Sequence, residues 1–170
     1  DLNRWIQAVR AHHDGTFQHC MMVTGVAVAF GQILRIPSAD LKRLAFAALV
    51  HDAGKANVPL SILDKPGPLT PDEMVIMRPH PVNGADLIAK SPGIEKIVID
   101  VVRHHHEYLD GSGYPDGLTG DNIPDLVRIA TIADIFGALI EKRAYKAPMS
   151  GLEAHEILVK MGPKLDQPLV

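Results

Sequence analysis

A histidine and an aspartate stand side by side at the end of an apolar helical stretch, LKRLAFAALVHDAGK, at residues 41–55. Apolar residues recur there with the spacing of an amphipathic helix, which runs up to His51 and Asp52. A carboxylate at the buried end of a helix is costly unless a partner compensates its desolvation. Imidazole and carboxylate groups both bind divalent ions well, so a metal is a suitable partner. Gly54 then ends the helix, and Lys55 follows within reach of the same place.

A single His-Asp pair is more often structural, a helix-end carboxylate beside a core histidine, than a metal site. The rest of the chain, with nine histidines in all, favours a metal site. The candidate ligands lie on five segments that end or face inward where a helical bundle would have its core: His19, His51, Asp52, His80, His105, His106 and Asp134. Bundles build metal sites in this way, from side chains on facing helices. Seven ligands exceed the usual demand of one ion, so we expect two divalent ions bridged by Asp52. Nitrogen and oxygen ligands without thiolate favour iron, manganese or a similar ion over structural zinc.

Composition restricts the class of protein. With 170 residues, 46% of them hydrophobic, the chain is predicted to form one domain over residues 1–170. A net charge of -3 argues against duplex nucleic acid or a membrane surface as partner. The single cysteine, Cys20, excludes an internal disulfide, and no bilayer-spanning run or signal peptide is visible, so we expect a cytoplasmic location. Because the sequence begins with Asp1, we expect a domain cut from a longer protein.

Helical periodicity without alternating strands predicts an all-α fold, a compact bundle of about seven helices. Asp14-Gly15-Thr16 predicts a break and a new N-cap before a long helix at 17–34. Thr70-Pro71-Asp72-Glu73 is typical of a capping box with proline in the first turn. Further helices are predicted at 94–106 and 125–145. Residues 107–124 are rich in glycine and proline and predict a long ordered loop.

Three motifs together resemble a known family. HDAGK lies at 51–55, the triplet HHE at 105–107, and DGSGYPDGL at 110–118. At this spacing they resemble the HD-GYP domain, the bacterial branch of the HD phosphohydrolases, over about residues 14–170. The resemblance implies an HD-type bundle with an ordered GYP loop. It also implies a metal-dependent phosphodiesterase that hydrolyses cyclic di-GMP to linear pGpG, with slower cleavage to GMP.

The resemblance implies roles for individual residues. All seven candidate ligands match metal ligands of the family, with Asp52 as the bridge. His104 is then a neighbour that does not bind metal, and we expect it to be a solvated residue of its helix. Lys55 resembles the lysine that contacts the scissile phosphate, and we expect Asp52 and Lys55 to be catalytic. Arg143 and Lys146 resemble the pair that holds a substrate phosphate, and Tyr114 is expected to help hold the substrate or the loop.

Two departures from the family pattern concern the metal site. Gly15 stands where some members have a glutamate that helps bind a third metal, so we expect two ions. Gly137 stands where the family usually has an aspartate, which could weaken support of the site and lower activity.

Two other functions stay open at this point. The domain could be a catalytically weakened signalling module that acts through protein contacts, or a phosphodiesterase for another cyclic dinucleotide. The resemblance also implies contact with diguanylate cyclase domains through the GYP loop.

Overall fold

The computed structural model describes residue 7 and residues 10–141 and 147–170. The described ranges contain eight α-helices and no β-strand, which confirms the all-α prediction. The helices are α1 (Asp14–Ile33), α2 (Ser38–Val50), α3 (Leu60–Leu63), α4 (Pro71–Met77), α5 (His80–Ile88), α6 (Lys96–His104), α7 (Asp125–Ile140) and α8 (Gly151–Lys160). Short 3-10 helices lie at Ala53–Asn57, Gly120–Asn122, Gly162–Lys164 and Gln167–Leu169.

The core forms where α1 packs against α2 and α7, and where α5 packs against α6 and the 3-10 helix Ala53–Asn57. Many of its buried residues are small, such as Ala27 of α1, Ala48 of α2 and Ala133 of α7. Small side chains let the helix backbones approach closely. The polar residues discussed below therefore converge from several helices onto a limited volume.

The start of α1 differs from the prediction. The helix begins at Asp14, and its N-cap is His13, whose Nδ1 accepts a hydrogen bond from the Thr16 backbone N–H at 2.9 Å. The segment Asp14-Gly15-Thr16 is therefore the first helical turn and not the break. Sequence preference favours Ser, Thr, Asp and Asn as N-caps, and it does not identify a histidine in that role.

Other boundaries follow the sequence more closely. The capping box at Thr70–Glu73 is confirmed, with hydrogen bonds in both directions between the two residues. The four-residue α3 was not predicted, because it is too short to show helical periodicity. Helix α7 ends at Ile140, before the predicted end at residue 145, and its final predicted residues lie partly outside the described ranges.

The loop at 107–124 has the predicted irregular backbone. It contains the 3-10 helix Gly120–Asn122 and an isolated bridge between Asp110 and Thr119. Across the ranges that the structure describes, no helix combines the length and the apolar character that crossing a bilayer requires.

Candidate metal centre

Each candidate ligand is placed by a helix or a helix end. His19 lies on α1 and Asp134 on α7, while His80 is the first residue of α5. His51 and His105 are the C-cap residues of α2 and α6, and Asp52 and His106 directly follow them. All seven are buried except His106, which is half-buried. The structure thus brings together the whole predicted set.

Three of the imidazoles are oriented by the backbone of their own segment. In each, Nδ1–H donates to the carbonyl oxygen three residues earlier and leaves Nε2 facing the centre. The distances are 2.7 Å for His51 and Ala48, 2.8 Å for His80 and Met77, and 2.8 Å for His105 and Val102. This arrangement fixes the tautomer that presents a nitrogen lone pair to a cation.

Two of the atoms that face the centre have no hydrogen-bond partner in the protein. His51 Nε2 and Asp52 Oδ1 are buried without a hydrogen-bond partner. His80 Nε2 lies 3.4 Å from His105 Nε2 and 3.2 Å from Asp52 Oδ1. Buried polar atoms are rarely left without a partner, and lone pairs that face one another repel. A cation among them would satisfy these atoms, so the residues fit a metal centre.

The donor atoms fall into overlapping groups, within each of which they lie no more than 4.8 Å apart. The groups are His80, His105 and His106; His19, His51 and Asp52; and His51, His105 and Asp134. Asp134 reaches towards two of them, because Oδ1 is 2.8 Å from His19 Nε2 and Oδ2 is 3.8 Å from His106 Nδ1. The cluster could hold metal, and two carboxylates extend across it.

Both carboxylates stay ionised in this setting. Burial favours the neutral acid, but Lys55 and His51 outweigh it and hold the pKa of Asp52 well below its usual range. A hydrogen bond from His19 and the charge of His51 likewise overcome burial and lower the pKa of Asp134. Negative charge is therefore available to bind a cation at neutral pH.

The pKa values of the imidazoles shift in different directions because their neighbours differ. Burial opposes protonation of His51 and His19, but Asp52 raises the pKa of the first and Asp134 that of the second. Burial, reinforced by His106, lowers the pKa of His105, and burial lowers the pKa of His106 to about 3. His105 and His106 are therefore neutral at physiological pH.

Two glycines set the distance between the His-Asp segment and α5. A Cβ on Gly54 would lie 2.0 Å from the carbonyl oxygen of His80 and 2.7 Å from the backbone nitrogen of Gly84. Only glycine allows this contact between backbones. The prediction that Gly54 ends the helix is wrong, because α2 ends at Val50 and Gly54 lies within the 3-10 helix Ala53–Asn57. The glycine is required there for close packing against α5.

Lys55 and a cavity lie beside the cluster. Lys55 Nζ donates to Asp52 Oδ2 at 2.6 Å. Burial disfavours the charged ammonium, but Asp52 outweighs it and raises the pKa of Lys55. A cavity of about 410 Å³ is lined by Asp52, Lys55, His19 and Glu141, among others. Glu141 was not predicted, and its Oε2 lies 3.5 Å from His19 Nδ1.

Tyr114 lies on the other flank of the cluster. Its ring centroid is 4.8 Å from that of His106 with an interplanar angle of 30°, and its backbone N–H donates to the His106 carbonyl at 3.1 Å. Burial, with Asp52 and Asp134, raises the pKa of the Tyr114 hydroxyl, which stays protonated. Arg143 and Lys146 lie outside the described residues.

The GYP loop is ordered by a buried carboxylate that the sequence analysis did not single out. Glu107 accepts backbone hydrogen bonds from Asp116 at 2.6 Å, Gly117 at 3.0 Å and Leu118 at 3.0 Å. The only sequence signal was its place in the HHE triplet. His104, expected to face solvent, instead contacts Asp116 Oδ2 at 2.9 Å, and Arg103 binds the same carboxylate.

The two departures from the family pattern have packing consequences. A Cβ on Gly15 would lie 2.9 Å from the ring of His13, and one on Gly137 would lie 2.9 Å from Val23 Cγ2. Gly137 therefore lies where α7 approaches α1 closely. A larger residue there would require α1 or the Val23 side chain to shift.

Fold and site together define a helical bundle with a histidine-aspartate cluster of the HD type. The family model described as HD domain matches residues 4–169. The chain therefore belongs to the HD domain family, and its motifs place it in the HD-GYP branch.

Two curated relatives support this assignment. A cyclic di-GMP phosphodiesterase of Pseudomonas aeruginosa is 37% identical over 139 residues, which cover 82% of this chain and 34% of that protein. A 3'3'-cGAMP-specific phosphodiesterase of Vibrio cholerae is 35% identical over 153 residues, 89% of this chain and 29% of that protein. The chain thus spans about a third of each relative's length.

A solved structure shares the fold. The HD domain of the phosphodiesterase PgpH from L. monocytogenes, in complex with cyclic-di-AMP, matches with a TM-score of 0.72 and 18% identity. The match covers 96% of this chain and 86% of that one.

Proposed function

We propose that the protein is a metal-dependent phosphodiesterase that hydrolyses cyclic di-GMP to linear pGpG and, more slowly, to GMP. The observation that carries this proposal is the convergence of seven donor side chains around buried atoms without partners, His51 Nε2 and Asp52 Oδ1. The relatives that act on cyclic dinucleotides support the choice of substrate.

The proposal includes two divalent ions. The position of Asp52 supports two ions, because its two carboxylate oxygens face different histidines. Oδ1 faces His80, and Oδ2 lies 3.5 Å from His51 Nε2. Asp134 extends in the same way between His19 and His106. Nitrogen and oxygen donors suit iron or manganese. We assign the ligand role to His19, His51, Asp52, His80, His105, His106 and Asp134.

When bound, such ions supply an activated water and neutralise charge on a phosphate. The chain's own groups complete the chemistry. Lys55 keeps its proton at neutral pH, so its ammonium can bind a non-bridging phosphate oxygen as charge builds up. Tyr114 can donate its hydroxyl proton in a hydrogen bond to the substrate. Arg143 and Lys146 are proposed to hold the second phosphate.

A second candidate is hydrolysis of a different cyclic dinucleotide, which the cGAMP-specific relative favours. The weakened signalling module is less well supported, since every predicted ligand type is present and converges. Gly137, which motivated that alternative, lies against Val23 of α1.

The proposal also covers the location of the protein and its protein partners. A cytoplasmic site of action agrees with a single buried cysteine that can form no internal disulfide. The GYP loop exposes Ser112, Asp116 and Thr119, and we propose it as the surface for diguanylate cyclase domains. Loss of cyclase binding on Ser112→Arg substitution, with hydrolysis retained, would support this role.

The test is hydrolysis under anaerobic conditions, with iron or manganese supplied and bound metal quantified in the same sample. The panel contains cyclic di-GMP, 3'3'-cGAMP and cyclic di-AMP. We expect cyclic di-GMP to be the best substrate and a double variant, His51→Ala with Asp52→Ala, to lose metal and activity together. Hydrolysis by that variant at the parent rate would contradict the mechanism.

A further inference from the structure

Arg78 is a positive side chain near the cluster that has no role in the function proposed above. It is exposed and makes no ion pair among the described residues, whereas the neighbouring cations are paired. Lys55 is bound by Asp52, and Arg103 by Asp116. An unpaired guanidinium beside a nucleotide site is available to bind an anion.

The backbone holds Arg78 in a fixed relation to the cluster. Arg78 is the C-cap of α4, and its N–H donates to the Met74 carbonyl at 2.9 Å. The preceding residue, Met77, supplies the carbonyl that orients His80 and also lines the cavity. One tight turn therefore orients a metal ligand and carries Arg78.

The side chain of Arg78 is held over an aromatic ring. Its guanidinium carbon lies 5.0 Å from the ring centroid of Tyr114, which in turn stacks on His106. A guanidinium held over an aromatic face keeps its N–H edge free for a bidentate contact. Arg78 is thus one ring away from a candidate metal ligand, with hydrogen-bond donors available.

A cyclic dinucleotide carries two phosphodiesters, and only one can react at the metal centre at a time. We propose that Arg78, supported by Tyr114, binds the phosphodiester that is not being cleaved. The inference rests on the proposed function and adds a cation from a segment separate from Arg143 and Lys146. Arginine suits this task because its planar fork binds two phosphate oxygens together.

The experiment compares Arg78→Ala and Arg78→Lys with the parent and with Lys90→Ala. Lys90 is an exposed cation just beyond the opposite end of α5, so its removal controls for the loss of charge. The substrates are cyclic di-GMP, cyclic di-AMP and bis(4-nitrophenyl) phosphate, which has a single phosphodiester.

We expect Arg78→Ala to raise KM about tenfold or more for the dinucleotides that are hydrolysed, as loss of a charged hydrogen bond implies. Arg78→Lys should have an intermediate effect, because it keeps the charge and loses the fork. The kcat values of both Arg78 variants should stay near the parent value, and so should their kinetics with bis(4-nitrophenyl) phosphate. The Lys90→Ala variant should behave like the parent with every substrate.

Three kinetic results would overturn the inference. An unchanged KM in Arg78→Ala would show that Arg78 does not contact the phosphodiester. A parallel loss with bis(4-nitrophenyl) phosphate would mean that Arg78 only supports Tyr114 and His106. An effect on cyclic di-GMP without one on an equally hydrolysed adenine analogue would indicate that Arg78 contacts a base.

A measurement of substrate-analogue binding distinguishes failure of this inference from failure of the proposed function. We would measure the dissociation constant of a bisphosphorothioate analogue of cyclic di-GMP, which resists hydrolysis. Weaker binding by Arg78→Ala supports the inference even if the parent shows no turnover. Turnover with unchanged binding overturns the inference alone, and a parent that neither binds nor hydrolyses overturns both.

Discussion

The two sides of the candidate metal centre differ in charge. One side presents the imidazoles of His80, His105 and His106, and the pKa values of the last two are lowered by burial. The other side places His19 between Asp134 and Glu141. Burial opposes protonation of His19, but the two carboxylates outweigh it and raise the pKa of the imidazole. Asp52 lies between the sides, with one oxygen towards each.

This difference indicates that two bound ions would not be equivalent. Carboxylates neutralise a cation and hold it more tightly, while neutral imidazoles leave more of its positive charge to act on a substrate. Because Asp134 extends to both sides while Glu141 lies beside His19 alone, we expect the side with His19 and Glu141 to fill at the lower metal concentration. The following predictions test this distinction, in order of decreasing effect.

Replacing Asp52 by alanine should affect both sides at once. The variant removes a carboxylate that faces both groups of donors, so bound metal should fall to a small fraction of the parent value. We expect kcat/KM to fall by at least about a thousandfold, since metal-assisted chemistry is lost. Metal analysis and kinetics on the same preparation check this, with Asp121→Ala, an exposed aspartate, as control. Full metal content in Asp52→Ala would refute the bridging role.

Replacing one histidine on each side should distinguish the sides. His106→Ala should lose the ion on the imidazole side and keep about one ion per chain, while His19→Ala should weaken the other. Each is expected to lose about a hundredfold or more in kcat/KM. Metal titration of both variants is the measurement. Equal loss of all metal in both would show that the two sides do not bind independently.

Replacing Glu107 by glutamine tests how the GYP loop is held in place without changing a candidate metal ligand. Glutamine offers one acceptor oxygen in place of two, so a backbone N–H of residues 116–118 would lose its partner. The expected cost is about 1–3 kcal/mol in the free energy of unfolding. Denaturant unfolding should detect it, and metal content should remain at the parent level. A metal-free Glu107→Gln protein would mean that the loop supports His106 more strongly than the geometry indicates.

Replacing Glu141 by glutamine should have the smallest effect. Glu141 lies 3.5 Å from His19 Nδ1, where it increases the electron density of that imidazole. We expect affinity for the ion on its side to fall by about tenfold. A competition titration with a chelator measures this change. A larger loss than in His19→Ala would assign Glu141 a direct ligand role.

The candidate donors could be identified in the sequence because their residue types and spacing are local signals. His51 and Asp52 follow an amphipathic run, and the HHE triplet follows another. Their convergence needed the resemblance or the structure, since no local pattern reports which helix ends meet. The bundle was predicted for the same reason, since helical periodicity is visible over ten or more residues and not over the four residues of α3.

Residues that act through long-range contacts were missed. Glu107 bonds to backbone nine to eleven residues away, and Arg78 meets Tyr114 across the fold. His104 was expected to face solvent because its helical position was visible and its partner Asp116 was not. A single-sequence pattern indicates burial and local capping, but it carries no information about such pairings.

The contact between Gly54 and α5 has a consequence for how this site tolerates change. At Gly54 the separation between the Asp52 segment and His80 is set by direct backbone contact, with no side chain between them. A single methyl group at position 54 would instead wedge the two halves of the ligand set apart. The geometry of the site thus depends on a residue that has no side chain and binds nothing.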